Sequence, residues 1–382
     1  QPLADGVRNL SVTATDIAGN TSAPTTLTVT IDTTPPAPPV ADVAAASDTG
    51  ASNTDNITSD STPTMTGSGT PGVTITVTFV TGEVRTTVVA SDGSWSVTPT
   101  QALAEGTQAV TVTATDGAGN TSTPSTVSLT IDTRAPAAPS ADVAAASDTG
   151  ASSADNITSD TTPTIQGTGT PGDRITVTMP GGEVLTATVA GDGTWSVTPT
   201  QALGDGTQSV SITATDPAGN TSAATALPIT IDTTANVPTV SSVVGNTLTP
   251  VLRGGAQLAA GETLAVTVGG ATYAVTPNAQ GVWTLDLALA TPVSGTLNLN
   301  YGTHSVSAVV TDAAGNTGTD VTSSELVIDV GRVSVSLPEA AGGVNASEAA
   351  SAGGTPLLLG LPAGAVANDV VDTVVKIGRA HV

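Results

Sequence analysis

Apolar residues occupy every second position over short segments of this chain. Ile175, Val177 and Met179, for example, are separated by single threonines. Such a two-residue period is typical of strands that bury one face and expose the other. Turn-forming pairs such as Asp192-Gly193 separate these segments at short intervals. No segment shows helical spacing over a useful length, so the pattern predicts an all-β chain.

The same pattern returns along the chain with a period of about 100 residues. The phrase TATDxAGN contains Asp16, Asp116 and Asp216, and the phrase IDT ends apolar runs at the same spacing. A diverged copy keeps one tryptophan, Trp283, and the related phrase DAAGN beginning at Asp312, but it lacks the acidic stretch of the earlier copies. A fixed period of this kind indicates tandem repeats.

The period predicts the domain organisation. Residues 1–34 form the C-terminal part of a repeat, complete repeats follow at 35–134, 135–234 and, in diverged form, 235–330, and residues 331–376 form the truncated N-terminal part of another. We therefore expect this chain to be a fragment of a longer protein. The last residues, 377–382, match the translation of a common sequencing-library adapter. We interpret them as an artefact and leave them out of the fold prediction.

Each repeat fits seven short strands rich in valine, isoleucine and threonine. That number of strands in about 100 residues is typical of an immunoglobulin-like β-sandwich, so we predict a tandem array of such domains. One tryptophan per repeat lies on a predicted strand, as Trp95, Trp195 and Trp283. We expect it to fill a core built otherwise from small residues rather than to stack on a ligand.

The chain is acidic, although charged residues are few. It has 32 acidic and 8 basic residues, a formal net charge of −24, and a charged fraction of only 10%. Nucleic acids and anionic membranes are therefore poor partners. No uninterrupted apolar run is long enough to predict insertion into a membrane. The chain has no cysteine, which excludes disulfides and thiolate metal sites.

Several phrases, taken in order, resemble a known family. They are the stretch DTGASSADNITSD from Asp148 to Asp160, the turn GTGTPG, the strand GDGTWSV, the loop TATDPAGN and the linkers IDTTA and IDTRAP. Together they resemble the bacterial Ig-like repeats of giant repetitive adhesins, the biofilm-associated and RTX-type surface proteins exported by type I secretion. The resemblance covers residues 1–330. It implies a secreted or cell-surface location, a role in cell adhesion or biofilm formation, and calcium bound between domains.

The acidic positions recur with the repeat. In the usual sandwich order, the acidic stretch after the first strand lies at the same end of the domain as the aspartate that follows the last strand. The loop between the last two strands lies at the other end and faces the preceding domain. Head-to-tail stacking would bring Asp48, Asp55, Asp60 and Asp132 against Asp216, and Asp148, Asp155, Asp160 and Asp232 against Asp312. The candidate metal ligands also include Asp16, Asp32 and Asp116.

Calcium is the ion that these positions favour. Carboxylates packed close together repel one another, and a hard cation with oxygen ligands removes that repulsion. Calcium accepts about six to eight oxygens in loose geometry, and the chain offers no soft ligands for zinc, copper or iron. The alternative is that the aspartates form turns and a solvated surface, which we favour for Asp42, Asp92 and Asp192. At the linkers we favour coordination, because four acids near one linker exceed the needs of turns.

The sequence contains no catalytic motif. It has no nucleotide-binding glycine loop, zinc-protease motif or EF-hand loop, and His304 has no partners for a hydrolase triad. We therefore predict that the chain is not an enzyme. The favoured hypothesis is the extender segment of a large adhesin, a calcium-rigidified rod whose partners are calcium and the neighbouring repeats.

Two questions about ligands follow from this hypothesis. Any host-surface or biofilm-matrix ligand would bind through regions outside this segment. The alternative is that one repeat, such as 235–330, is itself a glycan- or protein-binding module that uses the loop residues Tyr273 and Tyr301.

Overall fold

The computed structural model describes residues 2–329 and the backbone of two further strands at 334–336 and 358–360. Every regular element among these residues is a β-strand, so the all-β prediction is confirmed. The same residues contain no helix with the length and apolarity needed to cross a lipid bilayer. The predictions for the rest of 331–376, and for 377–382, fall outside the described residues.

The chain divides into two compact units. The first contains the residues up to Ala144, Thr162–Ala202 and Gln208–Ile229, and the second contains Ala145–Thr161, Leu203–Thr207 and the described residues from Thr230 onward. The division passes through the repeat at 135–234. The earlier repeats belong to the first unit, and the diverged repeat belongs to the second.

The first unit begins with an antiparallel hairpin of β1 (Gly6–Val12) and β2 (Thr25–Ile31). The 35–134 repeat follows with β3 (Val40–Val43), β4 (Ile57–Thr58), β5 (Met65–Ser68), β6 (Thr74–Thr78), β7 (Val84–Val88), β8 (Ser94–Val97), β9 (Gly106–Thr115) and β10 (Ser125–Ile131). One sheet has the order β3-β5-β8, and the other has the order β4-β10-β9-β6-β7. The sequence predicts one strand fewer, because the two-residue β4, which pairs in parallel with β10, lies inside the acidic stretch.

The two sheets of this repeat enclose one apolar core. Burial alternates along β9, where Val110, Val112 and Ala114 are buried and the residues between them are more exposed. Met65 and Trp95 of the three-stranded sheet belong to the same cluster. The two-residue period of the sequence therefore has the expected physical cause, which is a strand with one face in the core and one face in water.

The 135–234 repeat contains β11 (Asp142–Val143), β12 (Ile157–Thr158), β13 (Ile165–Thr168), β14 (Arg174–Thr178), β15 (Val184–Thr188), β16 (Thr194–Val197), β17 (Gly206–Thr215) and β18 (Thr225–Ile231). In the first unit, one sheet has the order β11-β13-β16, and β14 pairs antiparallel with β15 and β17. In the second unit, β12 pairs in parallel with the end of β18.

The diverged repeat contains β19 (Thr239–Val240), β20 (Val243–Gly245), β21 (Val251–Gly255), β22 (Thr263–Val268), β23 (Ala271–Val275), β24 (Val282–Asp286), β25 (Ser294–Gly295), β26 (Gly302–His304), β27 (Val306–Thr311), β28 (Thr317–Thr319) and β29 (Leu326–Ile328). Its sheets have the orders β19-β21-β24, β20-β29-β26 and β25-β23-β22-β27-β28. Trp283 and Tyr273 are the largest side chains of its core. Two further strands, β30 (Ser334–Ser336) and β31 (Leu358–Gly360), pair antiparallel.

The core tryptophan of the 35–134 repeat packs on a glycine. Trp95 is only 4% exposed, which confirms its predicted place in the core. Gly67 pairs with it on the neighbouring strand. A Cβ atom on Gly67 would lie 1.9 Å from the carbonyl oxygen of Val40 and 2.8 Å from Cζ2 of Trp95. The indole therefore fits only because residue 67 has no side chain.

We expect Gly67→Ala to destabilise the 35–134 repeat by about 1–3 kcal/mol, the usual cost of overpacking a core. Gly117→Ala is the matched control, since nothing lies within 4 Å of its added Cβ atom. Urea unfolding followed by tryptic cleavage at Arg85, on β7 of this repeat, measures the difference. Equal unfolding midpoints for the two variants would show that the tryptophan does not need this glycine.

Candidate functional site

The loop between the last two long strands of each repeat is held by its own aspartate. In the loop from Asp216 to Asn220, Oδ1 of the aspartate accepts the backbone N–H of the asparagine, and Oδ2 accepts its side-chain Nδ2, both at 2.9 Å. The loops at 16–20, 116–120 and 312–316 contain the same two bonds. The side-chain bond from Asn120 is the largest effect that lowers the pKa of Asp116. The aspartate thus holds the loop in one conformation, and Asp116 stays charged at neutral pH.

The same asparagine reaches the end of the preceding repeat. Nδ2 of Asn220 also donates to the backbone carbonyl of Asp132 at 2.8 Å, and Nδ2 of Asn316 donates to that of Asp232 at 2.7 Å. Asn120 makes the corresponding bond to the carbonyl of Asp32. The structure thus brings the predicted terminal aspartates to the predicted loops. The contact is made by the backbone carbonyl rather than by the carboxylate.

The acidic stretch also contacts the next loop. Oγ1 of Thr49 donates to the carbonyl oxygen of Ala218 at 2.6 Å, and Oγ1 of Thr149 makes the same bond to Ala314. Sequence reasoning missed these threonines and the loop asparagines because it examined charged residues. Their signal was present in the recurring letters DTG and AGN.

The aspartates themselves do not form one cluster. Among residues 2–329, no group of three acidic or histidine side chains is placed to hold a metal ion by itself. The acids instead form two smaller neighbourhoods in the first unit. Asp48 lies near Asp55 and Asp42, whereas Asp132 and Asp216 each lie near a residue that was not predicted, Asp173.

Asp48 is a buried carboxylate at the beginning of the acidic stretch. It is 4% exposed, and its Oδ1 atom has no hydrogen-bond donor. The other oxygen accepts the backbone N–H of Asn56 at 3.2 Å. Burial raises the pKa of Asp48, the bond from Asn56 partly opposes this, and the charges of Asp55 and Asp42 raise it further.

Asp173 is the most buried acidic group at the junction between the 35–134 and 135–234 repeats. It is 2% exposed, and its Oδ2 atom has no hydrogen-bond donor. Burial raises its pKa, and the charges of Asp216 and Asp132 raise it further against the opposing hydrogen bond from Thr170. Comparison of the two nearly identical repeats could have revealed it, because TPGD here replaces TPGV, which ends at Val73.

The diverged repeat carries a carboxylate at the same place, but that carboxylate has donors. Glu262 precedes β22 as Asp173 precedes β14. It accepts Nδ2 of Asn236 at 2.9 Å and the backbone N–H of Ala259 at 2.6 Å. Burial raises the pKa of Glu262, but these hydrogen bonds lower it more, so the net shift is downward. Hydrogen-bond donors of the protein therefore compensate the charge of Glu262.

Most of the other predicted ligands accept local backbone hydrogen bonds. Oδ1 of Asp60 accepts the N–H of Thr62 at 2.8 Å. In the same kind of turn, the backbone N–H of the residue two positions later donates to the carboxylate of Asp32, Asp55, Asp132, Asp155 and Asp232. The turn interpretation therefore holds for part of their role, as it does for Asp92 and Asp192. An ionised carboxylate has about four acceptor sites, so coordination of calcium by these residues stays a prediction.

Only one of the two tyrosines proposed as ligand-binding loop residues, Tyr301, lies outside the strands. Tyr273 is on strand β23 and is only 2% exposed, so its assignment to a surface loop was wrong. The alternation of apolar residues along β23 turns it into the core, where it pairs with Val266. Tyr301 is partly buried against the same core.

Comparison with known proteins shows which family these repeats resemble. The model of the bacterial Ig-like domain matches residues 1–33, 34–133 and 135–233, which is more than half of the chain. No curated protein is significantly similar to the chain in sequence.

Solved structures of adhesins are also similar to it. One, a Ca2+-stabilized adhesin that helps an Antarctic bacterium bind ice, is 29% identical over 85% of this chain and 82% of that chain, with a TM-score of 0.32. A tetra-tandem repeat from the extending region of a large adhesion protein is 27% identical over 86% and 83%, with a TM-score of 0.29. TM-scores this low do not establish a shared structure of the whole chain.

We expect Asp173→Asn to raise the melting temperature of the metal-free protein at pH 7. A raised pKa means that the folded state binds the proton of Asp173 more tightly than the unfolded state does. The charged form therefore destabilises the fold, and the penalty disappears as the pH falls towards the ordinary carboxyl range. Thermal unfolding in EDTA from neutral to acidic pH measures the effect.

The control for this prediction is Asp192→Asn in the same repeat. The hydrogen bonds from Thr194 lower the pKa of Asp192, so removing its charge should bring no gain in stability at neutral pH. A lower melting temperature for Asp173→Asn than for the unmodified protein at pH 7 would contradict the assignment of Asp173 as an unsatisfied charge.

Proposed function

Because the chain belongs to the bacterial Ig-like domain family, we propose that it is an extender segment of a large secreted adhesin, in which calcium stiffens the junctions between repeats. Its role is structural rather than catalytic: it separates a distant binding module from the cell and supports adhesion or biofilm formation. Export by type I secretion and placement at the cell surface are part of this proposal.

One observation supports calcium most directly. At the junction between the 35–134 and 135–234 repeats, the buried Oδ2 atom of Asp173 has no donor, and the nearby charges of Asp216 and Asp132 oppose its ionisation. A hard carboxylate oxygen of this kind suits calcium, whose loose coordination shell also takes carbonyl and water oxygens. Bound calcium would neutralise the mutual repulsion of these carboxylates.

The junction before the diverged repeat differs from this one and supports a specific role for Asp173. Glu262 occupies the position of Asp173, and its charge is satisfied by Asn236 and Ala259. At the junction before the 35–134 repeat, the position is the apolar Val73. We therefore propose that the three junctions differ in their need for calcium, and that the junction with Asp173 responds most strongly.

We expect calcium to raise the unfolding temperature through a site of about 10⁻⁴–10⁻³ M affinity, as in other extracellular modules. At tenfold excess over its dissociation constant, such a site adds about 1.4 kcal/mol. Asp173→Asn should remove most of this gain, and Asp192→Asn should retain it. Calorimetry and thermal unfolding, each with calcium and with EDTA, make the measurement. Equal calcium responses of the two variants would remove Asp173 from the site.

A glycan array separates the extender from the alternative in which one repeat binds a ligand directly. The extender hypothesis expects no specific glycan to be retained by this chain. Retention that depends on residues of the 235–330 repeat would favour the binding module instead.

A further inference from the structure

Two of the loops of the type Asp-x-Ala-Gly-Asn, here called AGN loops, contact a matching surface on the preceding repeat. A Cβ atom on Gly50 would lie 1.9 Å from the carbonyl oxygen of Pro217, and one on Gly150 would lie 1.9 Å from that of Ala313. Both glycines have a positive φ, 101° and 98°. The backbone of the AGN loop therefore lies directly on the backbone of these glycines, and no other residue type fits there.

The residue before each glycine is positioned to hold the loop. Thr49 accepts the backbone N–H of Ser59 at 2.8 Å while its hydroxyl donates to the carbonyl of Ala218. Thr149 is held in the same way by Ser159. We call this surface the Thr-Gly cradle: Thr49, Gly50 and the carbonyl of Asp132 in one repeat, and Thr149, Gly150 and the carbonyl of Asp232 in the next.

The loop has the same form whether or not a cradle lies against it. Ala218 and Ala314, the central alanines of the two cradled loops, are completely buried, at 0% exposure. Ala18 and Ala118 hold the same position in the other two loops and are exposed. All four loops nevertheless contain the same bonds between their aspartate and asparagine. The conformation of the loop is therefore set by its own aspartate and asparagine.

All the groups that meet in this contact are uncharged. They are a threonine hydroxyl, glycine backbone, an asparagine amide and carbonyl oxygens. Two hydrogen bonds join separate segments of the preceding repeat to one loop, at Thr49 and at Asp132, so the contact fixes orientation as well as distance. Such a contact requires no metal ion between the groups that meet.

We infer that the Thr-Gly cradle and the AGN loop form a self-recognition interface that selects and orders successive repeats without metal. It goes beyond the calcium proposal and does not depend on it. The 35–134 and 135–234 repeats carry both halves. The diverged repeat carries the loop at Asp312–Asn316, but its connection between β19 and β20, which corresponds to the β3–β4 connection, consists only of Ser241 and Ser242 and contains no Thr-Gly pair. The diverged repeat can therefore dock onto the cradle of the preceding repeat, but it provides no cradle for a following repeat.

Trypsin cleavage after Arg134 tests this inference in the full chain. Arg134 is exposed and lies in the linker between the 35–134 and 135–234 repeats, so its cleavage rate reports on opening of that junction. Gly50→Ala places a methyl group against Pro217. In EDTA we expect it to speed cleavage at Arg134 about tenfold, which corresponds to about 1.4 kcal/mol of junction stability.

Two controls separate the junction from the fold. Gly72→Ala places an alanine at a similar positive φ, 86°, in the same repeat, but nothing lies within 4 Å of its Cβ atom. It should leave cleavage at Arg134 unchanged. Cleavage at Arg85, on β7, reports on the repeat itself and should be the same for Gly50→Ala as for the unmodified chain.

Two results would overturn the inference. One is cleavage of the unmodified chain in EDTA as rapid as that of Gly50→Ala, which would mean that the cradle does not close the metal-free junction. The other is a Gly50→Ala rate at Arg134 no higher than that of Gly72→Ala. Neither result bears on calcium binding by Asp173, and a failure of calcium to bind would leave the cradle intact.

Discussion

The junctions of this protein depend on the carboxylate that begins each AGN loop. One oxygen fixes the backbone of the loop, and the other holds the asparagine side chain in place. With its amide oriented in this way, Asn220 also bonds the preceding repeat. Without the aspartate, the chain would have to order both the loop and the amide during docking, and that conformational entropy would oppose the contact. The charge therefore acts first as an internal clamp.

The sequence predicts the fold class well because its signals are carried within single strands. Alternation along strands such as β9 and the tryptophan of each repeat depend only on which face of a strand meets the core. The short strand β4 is missed because only two residues pair, within a stretch whose acidic letters indicate turns. Tyr273 is placed wrongly because an aromatic residue near turns reads as a loop residue, although the register of β23 directs it inward.

The candidate site is only partly predictable, for a different reason. The spacing of the aspartates indicates correctly that the acidic stretch, the terminal aspartate and the loop of the next repeat belong together. The spacing does not indicate which atoms make the contact, because an aspartate can contact the next repeat through its side-chain carboxylate or through its backbone carbonyl. Asp132 uses its carbonyl for the contact. Asp173 stands outside the repeating set of aspartates, so only a difference between two aligned repeats indicates it.

The residue that precedes β6, β14 or β22 differs in charge and in hydrogen bonding between the repeats. Val73 is uncharged, and Glu262 accepts hydrogen bonds from Asn236 and Ala259. Asp173 is buried near two other carboxylates. Repeats that look interchangeable in sequence thus carry different groups at their junctions. Under the proposed calcium binding, an array of such units would contain stiffer and softer junctions in a defined order, although the repeats share the same kind of core.

The presence of a cradle and a loop in one repeat has a consequence for how such a chain grows. A duplication of residues 135–234 would supply a new loop for the cradle before it and a new cradle for the loop after it. The added copy would make both contacts without any compensating substitution elsewhere. Unequal recombination could therefore add or remove repeats one at a time without disturbing the contacts of their neighbours.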